Sequence, residues 1–155
     1  MKLTGFTDYS LRVLIYLAAE PGRRATIAEI AAAFGVKENH LTKVVHFLGK
    51  AGLLANVRGK GGGLGLALPP SEIVIGRVVR RTEGADVPAE CFAEGKSECS
   101  IVDICRLRGV LHEAVDAFYA VLDRHTLEDL VHNRQSIAQV LMIGHIDRPA
   151  STRRT

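Results

Sequence analysis

Residues 26–68, TIAEIAAAFGVKENHLTKVVHFLGKAGLLANVRGKGGGLGLAL, decide the fold. Thr26 and Glu29, three residues apart, make a capping box in which each side chain accepts from the other residue's orphan backbone N–H. The box opens a short helix carrying Ile27, Ile30, Ala31 and Phe34, and Gly35 supplies the turn. A second helix over about residues 38–51 sets Leu41, Val44, Val45 and Leu48 on one face. Lys37 is a poor cap for its start, and Gly52 closes it from the C′ position. Leu54 to Arg58 then reads as a strand, Gly59 to Gly63 as a flexible tip, and Leu64, Leu66 and Leu68 alternate as a returning strand. Upstream, residues 7–19 read as a helix with Thr7 as N-cap and Leu11, Leu14, Ile15 and Ala18 on one face, ended by Glu20-Pro21-Gly22. Three helices followed by a hairpin predict a mainly α fold built on an N-terminal winged helix-turn-helix domain with a β-hairpin wing.

Downstream, Pro69-Pro70 punctuates the chain and residues 76–82 read as a short helix ending before Gly84. Residues 84–101 read as a polar loop. A long helix is expected from about residue 102, where Ile104, Leu107, Leu111, Ala114, Phe118 and Val121 recur in steps of three and four. Val110, Val115, Ala117 and Leu122 add a second apolar flank. Such a helix either packs wholly within its own core or meets its own domain on one side and a partner subunit on the other, and in the second case the six residues of the seam are the candidate dimer interface. Thr126 caps a further helix at LEDLV, and another follows near Ile137–Ile143. The expected organisation is therefore a winged-helix domain at 1–70, a connecting helix and cysteine loop at 71–101, a dimerisation helix with C-terminal helices at 102–143, and a disordered tail at 144–155.

Composition narrows the function. Of the 155 residues, 47% are apolar, which suits a globular chain with one core or a small domain plus an oligomerisation arm. Residues 1–68 hold 9 Lys/Arg against 4 Asp/Glu, whereas residues 69–155 hold 11 against 13. A basic first half joined to an acidic-leaning second half fits a nucleic-acid reader coupled to another module. No apolar run reaches the roughly 18–20 residues of a membrane span, and MKLTGFTDYS lacks the features of a signal peptide. A cytoplasmic protein is expected.

Opposite the buried stripe of the third helix lie Asn39, Lys43, His46 and Lys50, a polar strip of a width that a major groove accepts. Asn39 and His40, near the helix start, are placed for base edges, whereas Lys43 and Lys50 suit phosphates. Arg58 and Lys60 beside Gly61, Gly62 and Gly63 make a cationic finger for a narrow minor groove or its phosphates. A phosphate loop is excluded because neither Ser nor Thr follows Lys60 and a strand pattern follows the glycines.

The chain's three cysteines, Cys91, Cys99 and Cys105, fall in CFAEGKSECSIVDIC. An odd, clustered set suits a metal or iron–sulfur site better than a disulfide framework. Thiolates are soft donors that match zinc, copper(I) or iron–sulfur clusters. Gaps of seven and five residues without a CxxC depart from structural zinc spacing and favour a larger object, with zinc and unligated thiols as the alternatives. A zinc-stabilised adaptor without DNA binding follows from the zinc case. No base sits beside the cysteines to form a nucleophile pair, so an enzyme is not expected.

FTDYSLRVLIYLA, NHLTKVVHFLGKAGLL, RGKGGGLGLAL, the cysteines before a long helix, and TLEDLV resemble, in that order over residues 1–143, the Rrf-two superfamily of winged-helix regulators. Within it the pattern is most similar to the nitric-oxide-sensing branch. The resemblance implies a homodimeric repressor with one cluster per subunit, 4Fe–4S rather than 2Fe–2S, a palindromic double-stranded operator, and nitric oxide as the signal. It further implies that Asp8, donated by the other subunit, is the fourth ligand beside Cys91, Cys99 and Cys105. From spacing alone, Arg12 lies one helical turn from Asp8, either holding that carboxylate by a charge-assisted hydrogen bond or standing as a solvated surface arginine. Related regulators of cluster biogenesis instead carry a histidine three residues after the last cysteine. Here that position is Arg108, which cannot ligate, and His112 lies about two turns along. Glu90, Glu94 and Glu98 are fallback oxygen donors. The same scaffold sensing iron, cluster or redox status is the alternative.

Overall fold

The computed structural model describes residues 3–57, 59, 61–84, 89, 92 and 99–146, and for 142–146 the backbone alone. Among the described residues seven α-helices and one hairpin follow in order: α1 Gly5–Ala19, α2 Ile27–Phe34, α3 Glu38–Lys50, β1 Leu54–Val57, β2 Gly63–Leu66, α4 Ile75–Glu83, α5 Arg106–Leu122, α6 Leu127–Leu130 and α7 Arg134–Ile146. The fold is the mainly helical winged helix expected from residues 26–68.

Local chemistry explains the boundaries. The Thr26–Glu29 box forms as expected, with Thr26 Oγ1 accepting from the Glu29 N–H and Glu29 accepting from the Thr26 N–H at 2.6 Å. After α3, Gly52 takes φ 73°, a left-handed conformation that glycine reaches without a Cβ penalty. There the Leu53 N–H reaches Leu48 O and the Gly52 N–H reaches Gly49 O, both at 3.0 Å, completing a Schellman ending. One cap moves. Thr4, not Thr7, caps α1, because Thr4 is extended and accepts from the Thr7 N–H. Thr7 is instead fully buried inside the first turn, where its hydroxyl donates to Thr82 Oγ1 at 2.7 Å. Beside it, Glu83 accepts from the Thr4 N–H at 2.9 Å, so the start of α1 is tied to the end of α4.

The wing pairs antiparallel, Leu54 opposite Leu66 and Val57 opposite Gly63. Ala25 adds an isolated antiparallel bridge by exchanging both backbone hydrogen bonds with Leu64. A Cβ at Gly63 would press on Ala25 O at 3.0 Å, so this close approach requires glycine.

Leu14, Ile30, Leu41, Leu48, Ile73 and Leu127 are fully buried in one cluster. Each such side chain is worth roughly 1.5–3 kcal/mol of burial. Leu127 and Val131 come from beyond α5, and Ile137 and Leu141 of α7 pack against the same cluster. The chain thus leaves the winged helix, runs out along α5, and returns to close its core.

The long helix begins later than the periodicity implies. A short 3-10 turn spans Val102–Ile104, Cys105 is extended at φ −75° and ψ 109°, and α5 starts at Arg106. Ile104 therefore stands outside the helix. Residues 147–155 of the expected tail lie outside the described residues.

Candidate nucleic-acid interface and cysteine site

On α3, Leu41, Val44, Val45 and Leu48 are buried while Asn39, His40, Lys43, His46 and Lys50 are exposed together on the opposite face. Thr42, exposed between His40 and Lys43, joins this face, and sequence reasoning passed over it. The helix is tied to α1 by aromatic contacts. Phe6 meets Phe47 edge-on at 5.3 Å, and Tyr9 stacks on His40 at 6.0 Å between ring centroids. No local pattern reveals the Tyr9–His40 pair, because its members lie on different helices. At the wing, Gly59 and Gly61 adopt φ 95° and 78°, and the Gly62 N–H reaches Gly59 O at 2.9 Å. Gly61 is exposed and Gly62 and Gly63 are half-buried, whereas Arg58 and Lys60 lie outside the described residues.

Asp8 sits in the first turn of α1, and Arg12 grips both of its carboxylate oxygens, Nε to Oδ1 at 3.1 Å and the terminal nitrogen to Oδ2 at 3.0 Å. The Arg12 guanidinium also lies 5.7 Å from the Phe34 ring centroid, which fixes it from the far side. Asp8 remains 46% exposed, so its carboxylate is accessible from outside the chain.

Cys99 is exposed and Cys105 half-buried, joined through the 3-10 turn whose Val102 N–H reaches Cys99 O at 3.2 Å. Cys105 stands at the positive end of the α5 dipole. Cys91, Glu90, Glu94 and Glu98 lie outside the described residues. Among the described residues no three His, Cys, Asp or Glu side chains gather as metal ligands, so Asp8 does not join Cys99 and Cys105 within one chain. The donors nevertheless fit a soft-metal group. Two accessible thiols share one helix entry, and the nearby nitrogen groups are engaged elsewhere. Arg108 lies 6.0 Å from the Phe92 ring centroid, while His112 stacks on Phe92 and pairs with Asp116 at 2.9 Å.

The candidate interface residues divide. Leu107 and Val110 are each 61% exposed and Val121 is 45% exposed, with Ala114 and Ala117 exposed between them. These five repeat in steps of three and four and form an outward apolar seam. Phe118, with Tyr119 and Leu122, turns inward onto the core, and Leu111 is half-buried.

A groove-width polar helix, a glycine wing and a cysteine-bearing arm define a winged-helix DNA-binding regulator. Residues 3–133 match the Rrf2 family model, described as an iron-dependent transcriptional regulator. The HTH-type transcriptional regulator NsrR of Bacillus subtilis is 49% identical over 142 residues, covering 91% of this chain and 97% of that protein. NsrR of Geobacillus kaustophilus is likewise 49% identical with the same coverage. Among solved structures, CymR, the global cysteine regulator of B. subtilis, superposes with a TM-score of 0.68 at 29% identity over 86% of this chain and 98% of its own. T. potens IscR does so with a TM-score of 0.68 at 28% identity over 86% and 88%. The chain belongs to the Rrf2 family. It is a transcriptional regulator and not an enzyme. Among the described residues no helix is long and apolar enough to cross a membrane.

Proposed function

We propose that this chain is a cytoplasmic homodimeric repressor that grips a palindromic operator while an iron–sulfur cluster, 4Fe–4S, is intact, and lets go when nitric oxide reaches that cluster. The observation that carries the reading is α5. One of its sides is anchored to the reading domain through Phe118, its other side is an exposed apolar seam, and Cys105 stands at its entry. In this reading a second copy covers Leu107, Val110, Ala114, Ala117 and Val121, which sets two α3 helices about one DNA turn, roughly 34 Å, apart. Asn39, His40 and His46 meet base edges, Lys43 and Lys50 meet phosphates, and Arg58, Lys60 and Gly61 to Gly63 enter the minor groove.

Cys91, Cys99 and Cys105 of one subunit and Asp8 of the other would hold the cluster, whose soft iron offers nitric oxide a place to bind. Asp8 is the hard, weakly held donor of the set. Were that carboxylate to let go, α1 would be freed from the other subunit's cysteine loop. Because Phe6–Phe47 and Tyr9–His40 bind α1 to α3, a shift of α1 passes to the reading helix. The similarity to relatives named NsrR supports this reading over iron or redox sensing.

The test is oxygen-free purification followed by metal and sulfide analysis, visible spectroscopy, and binding to promoter fragments during nitric oxide titration. A brown dimer that releases DNA as its absorption changes is expected. A colourless protein with stoichiometric zinc, or a brown one indifferent to nitric oxide, overturns the proposal. Asp8→Ala tests the fourth ligand. It should alter the spectrum and the nitrosylation rate, and unchanged values would remove Asp8 from the set.

A further inference from the structure

Between α4 and α5 lies a joint built from four side-chain positions that the DNA face and the cysteine site leave unused. Arg80 donates to both oxygens of Asp123, at 2.7 and 2.6 Å. Its guanidinium lies 4.4 Å from the Tyr119 ring centroid, one turn earlier on α5. Asp123 abuts Gly76 so closely that a Cβ there would overlap the carboxylate. Backbone bonds continue the joint on both sides. The Ile75 N–H reaches His125 O at 2.9 Å, and the Leu127 N–H reaches Ile73 O at 2.8 Å. Both charged side chains are more than one-third exposed, so a lone ion pair here would contribute little. The bidentate fork, the stacked ring and the glycine socket make the contact directional rather than strong.

Its position gives that direction a use. α5 is 17 residues long, a rod of about 25 Å. Cys105 caps one end of the rod and Asp123 caps the other. α4, which carries Gly76 and Arg80, buries Val78 and Val79 in the same cluster as Leu41 and Leu48 of α3. A displacement at the cysteine end can therefore reach the reading helix along the rod where its far end is fixed to α4, a second route beside the one through α1.

We infer that Arg80, clamped by Asp123 and Tyr119 over Gly76, is a positioning residue through which, along α5, the state of the cysteine site biases the orientation of the reading helices. The inference rests on the proposed function. The experiment compares full-length wild type, Arg80→Gln and Gly76→Ala, each iron-loaded and iron-stripped under anaerobic conditions. Dimer mass is read by sedimentation, the cysteine site by visible absorption, and affinity on a promoter fragment selected by the wild-type protein. Coupled sites commonly differ by about 5–150-fold in affinity. Both variants should keep the wild-type mass and absorption while the loaded-to-stripped affinity ratio is cut at least about threefold toward one. A ratio kept at the wild-type value in both variants, including one in which both forms weaken by the same factor as a merely structural clamp would cause, overturns the inference.

Hydrogen exchange on Asp123→Asn supplies an arm that needs no DNA. The Ile75 and Leu127 amides should exchange at least about tenfold faster while the interior amides of α1 keep their protection. Unchanged exchange at Ile75 and Leu127, or equal loss throughout the chain, removes the joint. A wild-type affinity ratio of one instead overturns the functional reading, and transmission with it, whatever the exchange arm shows about the joint.

Discussion

The winged-helix core and α5 are opposite solutions to the same apolar composition. In the core, Leu14, Leu41 and Leu48 are buried by other parts of one chain, and helix ends are closed by Thr4, Thr26 and Gly52. In α5 no residue is fully buried, although Leu, Val and Phe recur along it as densely as in a core helix. An apolar stripe that its own chain leaves exposed is unfinished, and a second molecule is the simplest completion. The difference teaches that periodicity reports a demand for burial without saying who meets it.

Equal deletions in the two regions should break or sharpen the contrast. Leu14→Ala removes a fully buried side chain and should cost about 2–5 kcal/mol in chemical denaturation. Leu107→Ala, at a position 61% exposed, should leave the unfolding free energy of a dilute monomer within about 0.5 kcal/mol. If Leu107→Ala cost as much as Leu14→Ala in the monomer, the α5 seam would belong to the intramolecular core.

Charge on the seam is the next test. Val110→Glu should convert the dimer to a monomer by sedimentation and weaken operator binding on the order of 100-fold, since one half-site contact is lost. Retained dimer mass would move the interface elsewhere. A smaller effect is expected at the helix start in the core. Thr26→Ala removes one half of the capping box and should cost about 1 kcal/mol, with dimer mass unchanged.

Much of this was legible in residues 26–68 because the signals there are local. A capping box, a left-handed glycine and a 3.6-residue stripe act within a few positions, and each recurs in the structure where it was read. The cap of α1 was misplaced for a related reason. Thr4 and Thr7 are equally good cap chemistry, and what decides between them is Thr82 and Glu83, some 75 to 79 residues away. The long helix was read as starting near residue 102, because hydrophobic spacing continues through Ile104 although the backbone turns extended at Cys105. Arg80, Asp123 and Gly76 carried no signal, since their meaning is a junction between two helices. The return of Leu127 to the core was equally invisible, because a buried leucine in a short helix has no period to show.

The last contrast is electrostatic and follows from the same junction. Asp129 is held below the ordinary aspartate value of 3.8 by the Thr126 backbone N–H and hydroxyl, and Asp123 is held below it by Arg80. A carboxylate whose folded value is depressed binds fewer protons native than unfolded, so its contribution is present above the unfolded value and lost as pH falls through the folded one. Both lie where α5 turns back into the core, so acid should loosen that return below pH 3.8. In urea titrations over falling pH, the stability gap between wild type and Asp129→Asn should be constant near neutrality and shrink below pH 3.8. A gap that stays constant into that range would mean that the Thr126 cap holds the carboxyl equally well when protonated, and that acid enters the fold elsewhere.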